Sequence, residues 1–248
     1  MKEQDLELAM PDGTTEAVLY TSVDGKALPG VLFVPDIGSI RTTMRQMARR
    51  LADEGYTVLM PNPFYRTSAV PVFSPEIKHG TPERMKRIQE LSAPLTPEKL
   101  EQDLAVYLDY LADQSTTSKG RIGVVGLCIG GGIALRAAAV QPDRIGAVAS
   151  FHGGGLYKAD NPASPHRVLP QVKARLYFGH ASEDGSMTAE EIAHFEKELK
   201  TWGGKFESIT YPARHGWTVE DNPAYNQVEA ERAYGRLTEL FRDTLRAH

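Results

Sequence analysis

The chain has a single cysteine among its 248 residues, so no disulfide can form within it and Cys128 is its only thiol. It has no excess of one charge: 28 lysines and arginines are interspersed with 32 aspartates and glutamates, for a formal net charge of −4. With no basic tract, nucleic acid and anionic membrane surfaces are not expected as partners. Long apolar runs are also missing. Nothing approaches the roughly 20 residues that span a bilayer, and Met1-Lys-Glu-Gln-Asp-Leu-Glu7 lacks the apolar centre of a secretion signal, which makes the cytoplasm the expected compartment. No His-Glu-x-x-His or paired-cysteine spacing occurs, nor a Gly-x-Gly-x-x-Gly opening a βαβ unit, so neither a metal nor a dinucleotide cofactor is expected.

What is present is an ordinary balance of 41% hydrophobic and 24% charged residues, over a length that can bury one substantial core. Leu6, Leu8 and Met10 alternate with polar residues up to Pro11-Asp-Gly-Thr14, and Ala17 and Leu19 resume the alternation, predicting an N-terminal antiparallel hairpin from 5–10 and 15–21. Beyond Pro29, short apolar runs at 30–35, 56–60, 121–125, 145–151, 174–179 and 205–210 alternate with helical stripes such as Ile40, Met44, Ala48, Leu51 and Leu100, Leu104, Leu108, Leu111. Later helices are expected over 188–200 and 224–245. This alternation implies a mostly parallel central sheet flanked by helices, one α/β domain over 1–248. Residues 61–96 break the pattern with repeated prolines and read as an irregular, lid-like excursion from the carboxyl end of a strand, where open α/β sheets bind ligands. Phe64, Tyr65, Phe73, Arg84 and Arg87 in it, with Trp217, are candidate substrate contacts.

The richest segment is 122–133, an apolar strand running into Gly126-Leu-Cys128-Ile-Gly130-Gly-Gly-Ile. Glycines on both sides of Cys128 suit a sharp strand-to-helix turn that lifts a nucleophile above the sheet. A helix starting near Ile129 would aim unpaired N–H groups and its positive end at the sulfur, favouring the thiolate and a developing oxyanion. A free cysteine is often a small core hydrophobe. Three successive glycines at a helix start tell against that, since each costs about 1 kcal/mol against alanine unless backbone must approach closely.

A cysteine nucleophile needs a base and a group that orients the base. Of the seven histidines, His79, His166, His194 and His248 fall in the excursion, a proline-rich loop, a helix and the terminus, and are expected to be incidental. His152 and His180 close strands. His215 is best placed, in Tyr-Pro-Ala-Arg-His-Gly-Trp after the last apolar run, and Asp184 is preferred to Glu183 as the orienting acid on the preceding strand's exit. The order Cys128, Asp184, His215 is that of nucleophile, acid and base in the α/β-hydrolase fold. Its second oxyanion donor comes from the loop after an early strand, which here offers the amide of Ile37 beside that of Ile129.

These stretches, with Gly30-Val-Leu-Phe-Val-Pro-Asp36-Ile-Gly38 and the helix containing Arg41, resemble the dienelactone hydrolase (carboxymethylenebutenolidase-like) family of cysteine α/β-hydrolases. The resemblance implies acyl transfer from an ester or lactone to Cys128, hydrolysis of the thioester, and a triad of Cys128, His215 and Asp184. Asp36 stands where family members have a glutamate that contacts the cysteine and helps form its thiolate, making it the candidate for thiol activation. Val219 replaces an arginine that holds the substrate carboxylate in members acting on dienelactone. Valine cannot clamp a carboxylate, so a more apolar ester or lactone is expected, with Arg84, Arg87 or Arg214 as alternative cations. Two other readings stand beside this one. A glutamine amidotransferase shares the Gly-x-Cys-x-Gly elbow but has an acid where this chain has Trp217. A non-catalytic small-molecule-binding protein could use the same scaffold. Homo-oligomerisation is left open.

Overall fold

The computed structural model describes residues 1–246, so His248 lies outside the described residues. β1 (Lys2–Met10) and β2 (Gly13–Thr21) form the expected hairpin, and β2 pairs antiparallel with β4 (Thr57–Pro61). From there the sheet is parallel through β3 (Gly30–Val34), β5 (Ile122–Leu127), β6 (Ile145–Phe151), β7 (Arg175–Glu183) and β8 (Phe206–Arg214), in the order β1-β2-β4-β3-β5-β6-β7-β8. Every residue of β3, β4, β5 and β6 is buried, which is why these strands read as continuous apolar runs.

The helices cover both faces. α3 (Pro97–Asp113), α4 (Ile129–Val140) and α5 (Ala189–Trp202) bury Leu104, Leu108, Leu135 and Phe195 in one core, while α1 (Thr42–Asp53) and α6 (Gln227–Leu245) bury Met44, Leu51, Leu237 and Phe241 in the other. The α/β-hydrolase architecture read from the sequence is the one observed.

Two boundaries differ in ways that matter for the site. β7 and β8 run past the predicted 179 and 210 because their pairing continues, after a register shift, to Glu183↔Arg214. His215 therefore springs directly from a strand end, and Glu183 belongs to the ladder, leaving Asp184 as the first residue free of it. The excursion between β4 and α3 is not wholly irregular: it holds α2 (Pro82–Ser92), started by Thr81, whose hydroxyl accepts the Arg84 N–H, with proline at the first position. Its root is fixed by charge. Arg66 Nη1 lies 2.5 Å from Asp103 Oδ2 on α3, and Tyr65 Oη donates to Asp103 Oδ1 at 2.9 Å.

Candidate active site

Five parallel strands end at one edge of the sheet, and each delivers a side chain there: Asp36 after β3, Cys128 after β5, His152 after β6, Asp184 after β7 and His215 after β8. The turn at Cys128 is as sharp as its glycines suggest, for Cys128 itself has φ 55° and ψ −123°, a conformation L-residues rarely adopt. A methyl group on Gly130 would lie 2.6 Å from the Val34 carbonyl oxygen and 2.7 Å from that of Pro35. The elbow can thus sit against β3 only if that position is glycine.

Cys128 is half-buried, and its Sγ lies 3.1 Å from His215 Nε2. His215 Nδ1 is 2.6 Å from Asp184 Oδ2, and Asp184 Oδ1 accepts from the Ser186 N–H at 2.8 Å and the Ser186 hydroxyl at 2.6 Å. Burial opposes the imidazolium of His215, but its hydrogen bonds to Asp184 and Cys128 and the charges of both outweigh that and raise its pKa to about 10. Asp184 shifts the other way: burial favours its neutral form, yet the His215 and Ser186 hydrogen bonds hold the carboxyl below its ordinary range.

These shifts have opposite consequences for stability. His215 gains its stabilisation in the folded state fully below its ordinary 6.5 and loses it as pH rises through about 10; Asp184 contributes above its ordinary 3.8 and loses that contribution as pH falls through its lowered value. The difference in melting temperature between wild type and His215→Gln should be greatest near pH 6 and shrink steadily toward about pH 10. A difference that grows with rising pH would contradict the raised imidazole.

Around Cys128 lies a cavity of about 370 Å³. Asp36, Ile37, Phe73, Arg84, His79 and His152 contribute to its wall, part of which the excursion supplies. Arg84 sits over the Phe73 ring, 4.2 Å from its centroid. Other expected contacts lie elsewhere. Phe64 is buried beneath the excursion with Val72 and Leu91, Tyr65 is turned to Asp103, and Arg87 binds the Val72 carbonyl and Glu90. Trp217 is fully buried, stacked on Tyr211 at 5.0 Å and edge-on to His152 at 5.2 Å. Arg214 donates to the Pro223 carbonyl, away from the cavity wall, and Val219 is wholly buried.

Asp36 also departs from expectation. Its Oδ1 accepts from Arg41 Nη1 at 2.6 Å and from the Gly38 N–H at 2.8 Å, and its Oδ2 accepts from Arg41 Nη2 at 2.9 Å. Arg41 is shared in turn with Asp221. Among the described residues no hydrogen bond joins Asp36 to Cys128, and the carboxylate orders the loop that carries Ile37. Ile129 opens α4, where backbone N–H groups have no partner inside the helix.

Two histidines passed over in the sequence prove informative. His79 lines the cavity. His152, held at φ 41° and almost fully buried, accepts the Cys128 N–H through Nδ1 at 3.2 Å, which leaves its proton on Nε2, 2.7 Å from the Thr218 hydroxyl. Burial and the neighbouring charge of His215 hold it well below the usual imidazole range. The glycines after it, in His152-Gly-Gly-Gly, were the available signal. His166, expected to be solvated or incidental, is buried against the Ser164 hydroxyl at 2.8 Å, away from the cavity around Cys128. Among the described residues no cluster of three or more His, Cys, Asp or Glu could hold a metal ion, and no helix is long and apolar enough to cross a membrane.

A thiol, an imidazole and a carboxylate in sequence at the edge of such a sheet invite comparison with proteins already known. An Escherichia coli K12 protein provisionally named carboxymethylenebutenolidase is 27% identical over 221 residues, covering 87% of this chain and 77% of its own. A Bradyrhizobium protein provisionally named 2-oxo-3-(5-oxofuran-2-ylidene)propanoate lactonase is 26% identical over 211 residues, covering 84% of this chain and 80% of its own. The fold matches that of a provisionally assigned dienelactone hydrolase from Klebsiella pneumoniae with a TM-score of 0.84 and 21% identity, over 97% of this chain and 98% of that one. Residues 15–245 match the dienelactone hydrolase family, and the chain belongs to that family.

Proposed function

We propose that this protein hydrolyses an ester or lactone through a thioester on Cys128. The observation that carries the reading is the continuous line from Cys128 Sγ to His215 Nε2 at 3.1 Å and from His215 Nδ1 to Asp184 at 2.6 Å, opening on a cavity. The lactonase name of the Bradyrhizobium relative supports the substrate class.

His215 takes the thiol proton on Nε2, and its Nδ1–H stays on Asp184, which stabilises the imidazolium. The sulfur adds to the substrate carbonyl, and the oxyanion forms beside the Ile37 and Ile129 amides. Collapse breaks the C–O bond, and His215 returns its proton to the departing alkoxide. A lactone keeps that alcohol tethered to the acyl chain. Water, deprotonated by His215, then adds to the thioester; the tetrahedral intermediate expels the sulfur, and acid leaves. His152 positions the elbow by holding the Cys128 amide.

The test is capture of the intermediate. Rapid quenching of the protein with a para-nitrophenyl ester should give one equivalent of nitrophenolate in a burst, and mass spectrometry should find the acyl group on the peptide containing Cys128. A burst-free time course with no acylated Cys128 peptide would overturn covalent catalysis. It would favour the binding-protein alternative if turnover were also absent.

A further inference from the structure

Outside the triad, the chain buries a guanidinium that none of the described carboxylates pairs. Arg136, in α4, is only 6% exposed. The arginines at 41, 66, 175 and 236 are each held by at least one carboxylate, whereas Arg136 is held by the Ala163 carbonyl, to which its Nη2 donates. That leaves most of its five donors without a hydrogen-bond partner among the described residues, and its charge without a carboxylate in contact. Burial pulls its pKa down, and Glu101 and Glu98 offset this only through space. An unpaired buried charge is costly enough that such a residue seldom persists for packing alone.

The guanidinium borders a second cavity of about 240 Å³ that shares no wall residue with the first. Its walls combine apolar side chains, among them Ile133, Leu95 and Pro165, with Ile129, Gly154 and the cation itself. Two of these adjoin the catalytic segment: Ile129 follows Cys128 in the chain, and a methyl group built on Gly154 would stand 4.0 Å from His215 Cε1. Arg136 lies eight residues beyond Cys128, about 12 Å along the helix axis, and helical side chains lean back toward the N-terminus. The head group is thus drawn back toward the Cys128 end of α4.

We propose that Arg136 and this cavity form a carboxylate-binding subsite for the far end of the acyl chain, so that the preferred substrate is a half-ester, or lactone, of a dicarboxylic acid with a flexible methylene chain. A planar fork of N–H donors recognises a carboxylate in two-point fashion, and the apolar walls accept the methylenes. This rests on the Cys128 reading above and shifts acid recognition away from the position of Val219.

The test compares the para-nitrophenyl half-esters of glutaric and adipic acid with neutral para-nitrophenyl pentanoate and hexanoate, in wild type, Arg136→Gln and Arg136→Lys. Wild type should favour the half-esters by about tenfold or more in kcat/KM, chiefly through KM, with the advantage fading at high salt. Arg136→Gln should bring the half-esters down to the neutral esters, and Arg136→Lys should keep part of the advantage. No preference in wild type, or one that survives in Arg136→Gln, overturns the subsite while leaving Cys128 hydrolysis intact. If no ester is cleaved, the Cys128 reading fails. Calorimetric binding of adipate to wild type but not to Arg136→Gln then still decides the subsite, and equal binding overturns it. If Arg136→Gln does not fold, Arg136→Lys carries the comparison, and an unchanged KM for the half-esters there marks Arg136 as a clamp on the Ala163 loop only.

Discussion

Cys128→Ala should lose at least about 10⁴-fold in turnover of simple esters while keeping the wild-type melting temperature within a few degrees. The first half follows from the covalent route, since alanine offers no electron pair to the carbonyl and His215 has no proton to take. The residual rate should be what amide oxyanion donors and binding can supply to attack by water. The second half follows from position. Sγ stands at the floor of an open cavity rather than in a packed core, so its removal leaves no sealed void, and the Cβ that the strained φ of 55° must accommodate is present in both proteins. Loss of the imidazolium's partner alters stability modestly, in the direction set by the raised pKa of His215. Cys128→Ser adds a control: a hydroxyl must be deprotonated in the act of attack, so it should react far more slowly than the thiol from the same place. Wild-type rates in Cys128→Ala, measured with a short aryl ester, would sink the mechanism.

Cys128, Asp184 and His215 were legible because each follows a parallel strand whose apolar run can be read, even though β7 and β8 extend four residues past the predicted ends. Cys128 was additionally framed by glycines that only close backbone approach explains. What stayed hidden were choices made by tertiary contact. Asp36 has the right position, but its partner Arg41 is shared with Asp221, 180 residues away, and no local pattern shows that the carboxylate turns there. Phe64, Tyr65, Phe73 and Trp217 are equally aromatic in the sequence; only Phe73 faces the cavity, because Asp103 captures Tyr65, Phe64 packs inward on Val72 and Leu91, and Trp217 is buried in the core under α1 and α6. α2 was announced by Thr81-Pro82, but the surrounding prolines masked it. Arg136 reads as an ordinary helical arginine, since neither its burial nor its missing counter-ion is encoded nearby.

Gly126→Ala should cost more than about 3 kcal/mol, with a fall in melting temperature on the order of 10 °C and activity lost in parallel. The cause is space rather than torsion. A methyl group on Gly126 would stand 2.0 Å from the Gly130 carbonyl oxygen and 2.8 Å from the Gly131 nitrogen, inside the first turn of α4. Overpacking a core with a methylene usually costs 1–3 kcal/mol because side chains can re-orient. Here the obstacle is backbone, and that backbone is pinned on its other side, where Gly130 presses on the carbonyls of Val34 and Pro35. Relief would require α4 to lift off β5, which displaces Cys128 from His215 and the Ile129 amide from the developing oxyanion. Stability and catalysis thus fail by one movement. Gly235→Ala supplies the contrasting case, since Gly235 lies inside α6 with nothing within 4 Å of the added methyl. There the better helix propensity of alanine should raise stability by about 0.5–1 kcal/mol without touching activity. Opposite signs for the same Gly→Ala change, read by thermal unfolding of the two variants, would locate the cost in the elbow. A near-neutral Gly126→Ala would show that α4 can yield without disturbing the nucleophile.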